Sequence, residues 1–188
     1  TGDAKRTLEN SKEKISQSGL ANSSAKMLPV NTVLMTSRAT LGEMKVAAVE
    51  CCTNQGFKSL IPKDGVDPWF IYYQMKRKKS EYENFGIGST FLEINKKDTD
   101  SFPIEIPSYK TQKKISEILV KIDDAIDKTQ SLIDKYTAIK QGMMANLFTR
   151  GIDLTTGQLR PPVEQAPHLY KETKLGWVPK EWNVARIE

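Results

Sequence analysis

The side chains able to do chemistry are few, and their spacing argues against catalysis. The one histidine, His168, stands beside Pro167, and the two cysteines, Cys51 and Cys52, are adjacent in an apolar run. That inventory does not fill a tetrahedral zinc site, and one adjacent pair makes no disulfide framework. There is no G-x-x-x-x-G-K-[ST] run, hence no P-loop. Gly86-Ile87-Gly88 lacks the third glycine of a dinucleotide fingerprint. Glu43-Met44-Lys45 has the form of half a metal-dependent nuclease site, but Asp64 follows it where a partner acid should precede, so a solvated turn is expected. No Asn-Pro-Pro-aromatic run of the adenine-methyltransferase kind occurs. The chain is expected to be no enzyme and to carry neither metal nor cofactor.

The polar residues that remain fit nucleic acid better. Lys76-Arg77-Lys78-Lys79 is a dense basic cluster at the end of an expected helix, with a solvated helix face as the plain alternative. Thr36, Ser37 and Arg38 form a hydroxyl-rich segment between two expected strands, suited to phosphate or base-edge hydrogen bonds. Asn54, Gln55 and Lys58 neighbour them if their strands pair. Asparagine and glutamine are the usual bidentate readers of adenine. Across 188 residues the formal net charge is +5, which favours a polyanionic partner. Arg38, Lys58 and Lys76–Lys79 are the candidates for phosphate or guanine, and Thr36, Ser37, Asn54 and Gln55 for base reading.

Residues 1–26 are polar and read as loop with a short helix. Strands are expected around Val30–Met35, Lys45–Val49 and Phe57–Ile61, the last stopped by Pro62 and the Lys63-Asp64-Gly65 turn. Asp67 and Pro68 open a helix expected over Trp69–Glu83. Short strands are expected at Phe91–Ile94 and Phe102–Ile106, the second kept to an edge by Pro103 and Pro107. Residues 1–108 thus read as one mixed α/β unit. Residues 151–167 have the glycine and proline content of a linker. Residues 168–188, with Trp177 and Trp182, read as the start of a further domain. No apolar run reaches the ~18 residues of a membrane span, and a cytoplasmic location without membrane contact is expected.

Between these parts lies a long helix, expected over residues 109–150 and roughly 60 Å long at 1.5 Å per residue. Ile115, Leu119, Ile122, Ile126, Thr129, Ile133, Tyr136, Lys140, Met143 and Leu147 alternate four and three apart, and only Thr129 and Lys140 are polar. That is coiled-coil spacing. The chain offers no second long helix to cover the seam, so a helix from elsewhere is expected to do so. The fold class is therefore α+β, a mixed α/β domain followed by a coiled-coil-type helix and the opening of a second domain. A coiled-coil adaptor with a basic head that reads no sequence is the alternative.

Three stretches resemble the specificity subunit of type I restriction-modification enzymes. Leu28-Pro29-Val30-Asn31-Thr32-Val33-Leu34-Met35-Thr36-Ser37-Arg38-Ala39-Thr40-Leu41-Gly42, with Thr53-Asn54-Gln55-Gly56-Phe57-Lys58-Ser59-Leu60-Ile61-Pro62, looks like the middle of a target recognition domain. Ile104-Glu105-Ile106-Pro107, Gln112-Lys113-Lys114-Ile115 and Ile122-Asp123-Asp124-Ala125-Ile126 are similar to the family's passage from recognition domain to conserved helix. Leu147-Phe148-Thr149-Arg150-Gly151 and Leu175-Gly176-Trp177-Val178-Pro179-Lys180-Glu181-Trp182 resemble its central connector and the entry to a second recognition domain. The resemblance implies two recognition domains, each reading half of a bipartite site in double-stranded DNA. Two antiparallel helices set the gap and dock the modification subunits, which bind S-adenosylmethionine and methylate adenine. A motor and nuclease subunit joins through the complex. Here Ile115, Leu119, Ile122, Ile126, Ile133, Tyr136, Met143 and Leu147 would dock helices and subunits. The resemblance also implies a partial chain, its first recognition domain lacking an opening segment and its second only begun. A second copy would then supply the missing helix in a two-fold dimer.

Overall fold

A computed structural model describes residues 5–38, 41–85 and 94–186. The chain forms two units, Thr1–Asp123 and Asp124–Glu188.

The first unit is built on a four-stranded sheet of order β1-β3-β2-β4: Thr7–Leu8 (β1), Val33–Thr36 (β2), Met44–Ala47 (β3) and Phe57–Leu60 (β4). β2 runs antiparallel to both neighbours, and β1 joins β3 in parallel. The register puts Val33 opposite Val46 and Leu60, and Met35 opposite Met44 and Lys58. Side chains alternate along a strand, so Val33, Met35 and Val46 share one buried face. Helix α2 (Pro68–Arg77) covers it with Phe70, Ile71 and Met75. Asp67 caps that helix by accepting the Phe70 N–H at 2.9 Å, and Pro68 occupies the first turn, where its missing N–H costs nothing. The β2–β3 connection turns at Gly42, with φ +76. There a side chain would be strained and its Cβ would press on Lys79.

Helices expected as one are two. α2 stops at Lys78 and α3 (Lys79–Phe85) follows. A short α1 (Gln17–Ala21) is capped by Ser16, and α4 (Lys96–Ser101) by Asn95. The strand expected at Phe102–Ile106 is an irregular extended segment. Pro103 and Pro107 donate no ladder bond. The segment is held instead by Phe102 packing edge-on against Tyr82 and Phe85, at 5.2 and 5.4 Å between ring centroids. Of the strand expected at Phe91–Ile94, residues 91–93 lie outside the described residues; Ile94 is buried in the core.

The helix α5 runs unbroken from Tyr109 to Arg150, 42 residues. Its first turns belong to the first unit, which runs to Asp123. In the second unit the stretch read as linker holds a hairpin, β5 (Ile152–Asp153) with β6 (Gln158–Leu159). A second hairpin follows, β7 (Tyr170–Thr173) with β8 (Gly176–Pro179). Arg160 clasps the end of α5. Its backbone oxygen accepts from Arg150 Nε at 2.6 Å, its guanidinium donates to the Arg150 carbonyl at 3.3 Å, and it pairs with Glu181. Gly151, at φ +67, makes this possible: a Cβ there would lie 2.6 Å from the Arg160 guanidinium and 2.9 Å from Trp182.

Candidate nucleic-acid interface

The pairing of β2 with β4 brings half of the sequence candidates, Thr36, Ser37, Arg38, Asn54 and Gln55, to one end of the sheet. Thr36 lies opposite Phe57, and just beyond it the Ser37 N–H donates to the Gly56 carbonyl at 2.8 Å. That bond ties the Arg38 segment to the turn holding Asn54 and Gln55. The turn is shaped by Asn54 itself, whose Oδ1 accepts the Gly56 N–H at 2.9 Å. Arg38, Asn54 and Gln55 are exposed.

Not all the candidates face outward. Ser37 is fully buried, and its Oγ has no hydrogen-bond partner among the described residues. Its backbone holds the loop; its hydroxyl does not reach solvent. The Thr36 hydroxyl accepts the Glu43 N–H at 3.0 Å and so serves the β2–β3 turn. Lys58 sits opposite Met35 and therefore on the other sheet face from Thr36. The structure does not bring those two together.

A cleft of about 1020 Å³ opens beside the loop end, on the face carrying Leu34 and Thr36. Lys5, Arg6, Lys14 and Lys45 line it, against the carboxylates Glu13 and Glu43. The excess is positive. Lys5 and Arg6 do not stand out in the sequence, because the two-residue strand β1 that brings them to the sheet has no alternation to read. Lys5 forms a surface pair with Glu9 at 3.1 Å, with both side chains mostly exposed; such pairs contribute little.

The basic cluster is largely consumed inside the protein. Arg77 pairs with Glu105 at 3.1 Å, Lys78 with Glu105 at 3.0 Å and with Glu81 at 3.4 Å, and Lys79 with Glu43 at 2.7 Å. Lys78 is only 6 % exposed. The hydrogen bond it donates to Glu105 raises its pKa, and the same bond lowers that of Glu105. Lys76 is exposed, with its ammonium 5.7 Å from the centre of the Tyr72 ring. Of the four, Lys76 is the side chain turned to solvent with no carboxylate pair described.

Two polar anchors fix the start of α5 to the sheet unit, and sequence reasoning overlooked both. Gln112, 1 % exposed, accepts the Asp67 N–H at 3.0 Å and donates to the carbonyls of Pro107 at 2.8 Å and Gly65 at 3.3 Å. Ser116 donates to Asp67 Oδ1 at 2.6 Å. Further along, Asp123 accepts from the Tyr73 hydroxyl at 2.8 Å and pairs with Arg6 at 3.4 Å. Burial and the bond to Asp123 push the Tyr73 hydroxyl well above the usual tyrosine range. The spacing of Gln112, Ser116 and Asp123, four then seven apart, is the signal that would have found them: a polar stripe on one helix face.

The docking residues lie in the two units. In the first, Ile115 and Ile122 are exposed and Leu119 is half-buried. In the second, Ile126 is 57 % exposed and Tyr136 62 %, with Ile133 and Met143 similar and Leu147 half-buried. Among the described residues no three His, Cys, Asp or Glu side chains converge to hold a metal ion, and no helix is long and apolar enough to cross a membrane.

Comparison with known proteins identifies the frame in which this geometry sits. The family model "Type I restriction modification DNA specificity domain" matches residues 3–136. The type I restriction enzyme MjaIX specificity subunit of Methanocaldococcus jannaschii is 32% identical over 175 residues, 92% of this chain and 38% of that protein. The putative MjaX specificity subunit of the same organism is 29% identical over 136 residues, 72% of this chain and 32% of that protein. The chain thus spans well under half the length of these relatives. Among solved structures, the HsdS subunit from Thermoanaerobacter tengcongensis is similar at 24% identity and a TM-score of 0.47, over 56% of this chain and 25% of that one. Since the family match runs through the whole sheet unit and most of α5, the chain belongs to the type I restriction-modification DNA specificity domain family.

Proposed function

We propose that the chain is a non-catalytic DNA-reading part of a type I restriction-modification enzyme. It recognises one half of a bipartite site in double-stranded DNA and docks the adenine-methylating modification subunits, through which the restriction subunit joins. The observation that carries this reading is the β2–β4 pairing. It sets exposed Arg38, Asn54 and Gln55 side by side at one sheet end, next to a cleft with a positive excess. Arginine reads guanine and the amides read adenine in the major groove, and they need to be close together to read adjacent base pairs. Lys5, Lys14, Lys45 and Lys76 supply phosphate contacts that fix register without reading sequence. Ser37 and Lys78 take no part in contact, since both are buried.

The helix α5 is the docking element. In the second unit its exposed Ile126, Ile133, Tyr136 and Met143 follow the four-three spacing that a second helix covers. Each such side chain yields roughly 1.5–3 kcal/mol when fully buried. The occupants are the modification subunit and a pairing helix. Residues 168–188 begin the second recognition domain.

The test is selection of bound duplexes from a random pool by the chain co-purified with its modification subunits. Enrichment of one defined half-site supports the reading. Binding that falls with salt and enriches no sequence would leave the basic-headed adaptor in its place.

A further inference from the structure

We infer that Gln112 is a positioning residue, which fixes the angle and axial register at which the DNA-reading sheet is mounted on the first turns of α5. The inference rests on the DNA-reading function proposed above and adds to it the part that sets reading geometry.

Four observations carry it. First, the fully buried part of the mount is polar. The α5 residues buried against the sheet unit are Gln112 and Ser116, while Ile115, Ile118 and Ile122 of the same turns stay exposed. At about 100° per residue, Gln112, Ser116 and Asp123 fall within ~40° of one another, bordering the seam, whose half-buried Leu119 lies ~20° from Gln112. Second, hydrogen bonds are directional and apolar contact is not. The Gln112 amide spends both its N–H donors, on Gly65 and Pro107, and its oxygen accepts from Asp67. A facing N–H on one side and two carbonyls on the other leave a single orientation of the amide. Third, the bonds reach different parts of the unit. Pro107 lies just before α5, whereas Gly65 and Asp67 precede α2, so the amide pins rotation and sliding together. Fourth, Asp67 is shared. One of its carboxylate oxygens caps α2 at Phe70 and accepts from Ser116. α2 packs directly on the sheet face of Val33 and Met35. A hydrogen-bonded path therefore leads from α5 through Gln112 and Asp67 to α2, and α2 in turn packs on the sheet that carries Arg38 and Asn54 at one end. The Arg6–Asp123–Tyr73 contact, farther along α5, is a second tether that keeps the unit attached when the first is loosened.

A merely structural glutamine would affect only how much protein folds. A positioning glutamine affects the permitted gap between half-sites, because a looser mount lets the reading end settle at neighbouring base-pair steps. The experiment is methylation mapping by the full chain assembled with its modification subunits, on plasmids carrying the site with spacers of varied length. Wild type is expected to methylate one spacer length. Gln112→Ala is expected to read the same half-site bases but to spread methylation to adjacent lengths. Wild-type spacer selectivity in folded Gln112→Ala overturns the inference. If Gln112→Ala does not fold, Ser116→Ala decides in the same way. If wild type methylates nothing, the DNA-reading function itself fails. The mount is then judged by pulsed electron–electron distances in the full chain, between spin labels at Gln55→Cys and Lys121→Cys in a Cys51→Ser, Cys52→Ser background. A broader distance distribution for Gln112→Ala supports it, and an unchanged one overturns it.

Discussion

Arg38 and Lys78 carry the same charge and meet opposite fates. Arg38 is exposed next to Ser37, whose N–H is bonded to the Gly56 carbonyl, whereas Lys78 is buried against Glu105 and Glu81. Arg38→Ala should cost roughly 1–3 kcal/mol of affinity for the cognate site and relax the base preference it reads. Titration of the assembled complex at fixed salt checks this, and an unchanged affinity would remove Arg38 from the reading set. Lys78→Ala should lower thermal stability and leave sequence preference intact, as a melting curve and a selection experiment would show. Glu105 adds a pH signature. Its pKa is held below the usual glutamate range by Lys78, so its contribution to stability is present at neutral pH and is lost as pH falls through the folded-state value. The melting temperature should therefore fall on acidification below about pH 4.3, and less so for Glu105→Gln. The sequence showed the Lys76–Lys79 run but not its occupation. The acids that meet Arg77 and Lys79 lie 28 and 36 positions away, on segments that only the fold brings near.

Elements with a strong period or punctuation were legible. β2, β3 and β4 carry β-branched or apolar residues between turns, and α5 carries its spacing across 42 residues. The two-residue strands β1, β5 and β6 are too short for alternation to register. The Phe102–Ile106 segment has strand-like residues but proline at the points where a ladder needs donors. Two substitutions test the ends of α5. Gln112→Ala leaves the Asp67 N–H and two carbonyls without their partner. It should destabilise the first unit by about 2–3 kcal/mol, read by chemical denaturation, given that each buried polar group left unsatisfied costs on the order of 1–3 kcal/mol. Gly151→Ala forces a Cβ into the left-handed region and onto Arg160. It should cost on the order of 1–2 kcal/mol and expose the second unit's hairpins to proteolysis; equal protease resistance would argue against the clasp. On the open face of the helix, Ile126→Asp should abolish co-purification with the modification subunit while the chain stays helical by circular dichroism.

At the scale of the whole molecule, the function proposed above makes the chain a reading surface joined to a docking helix. The long helix was legible in the sequence from its seam. The cleft beside the loops was not, because Lys5, Arg6, Lys14 and Lys45 come from three separate segments. Affinity for DNA should fall steeply with salt through these phosphate contacts, while the enriched half-site stays the same. The most direct measurement is a map of N6-methyladenine on plasmid DNA after co-expression with the modification subunits. The account predicts methylation confined to one bipartite motif, palindromic if a second copy supplies the pairing helix. Stable co-purification with no sequence-specific methylation would contradict it.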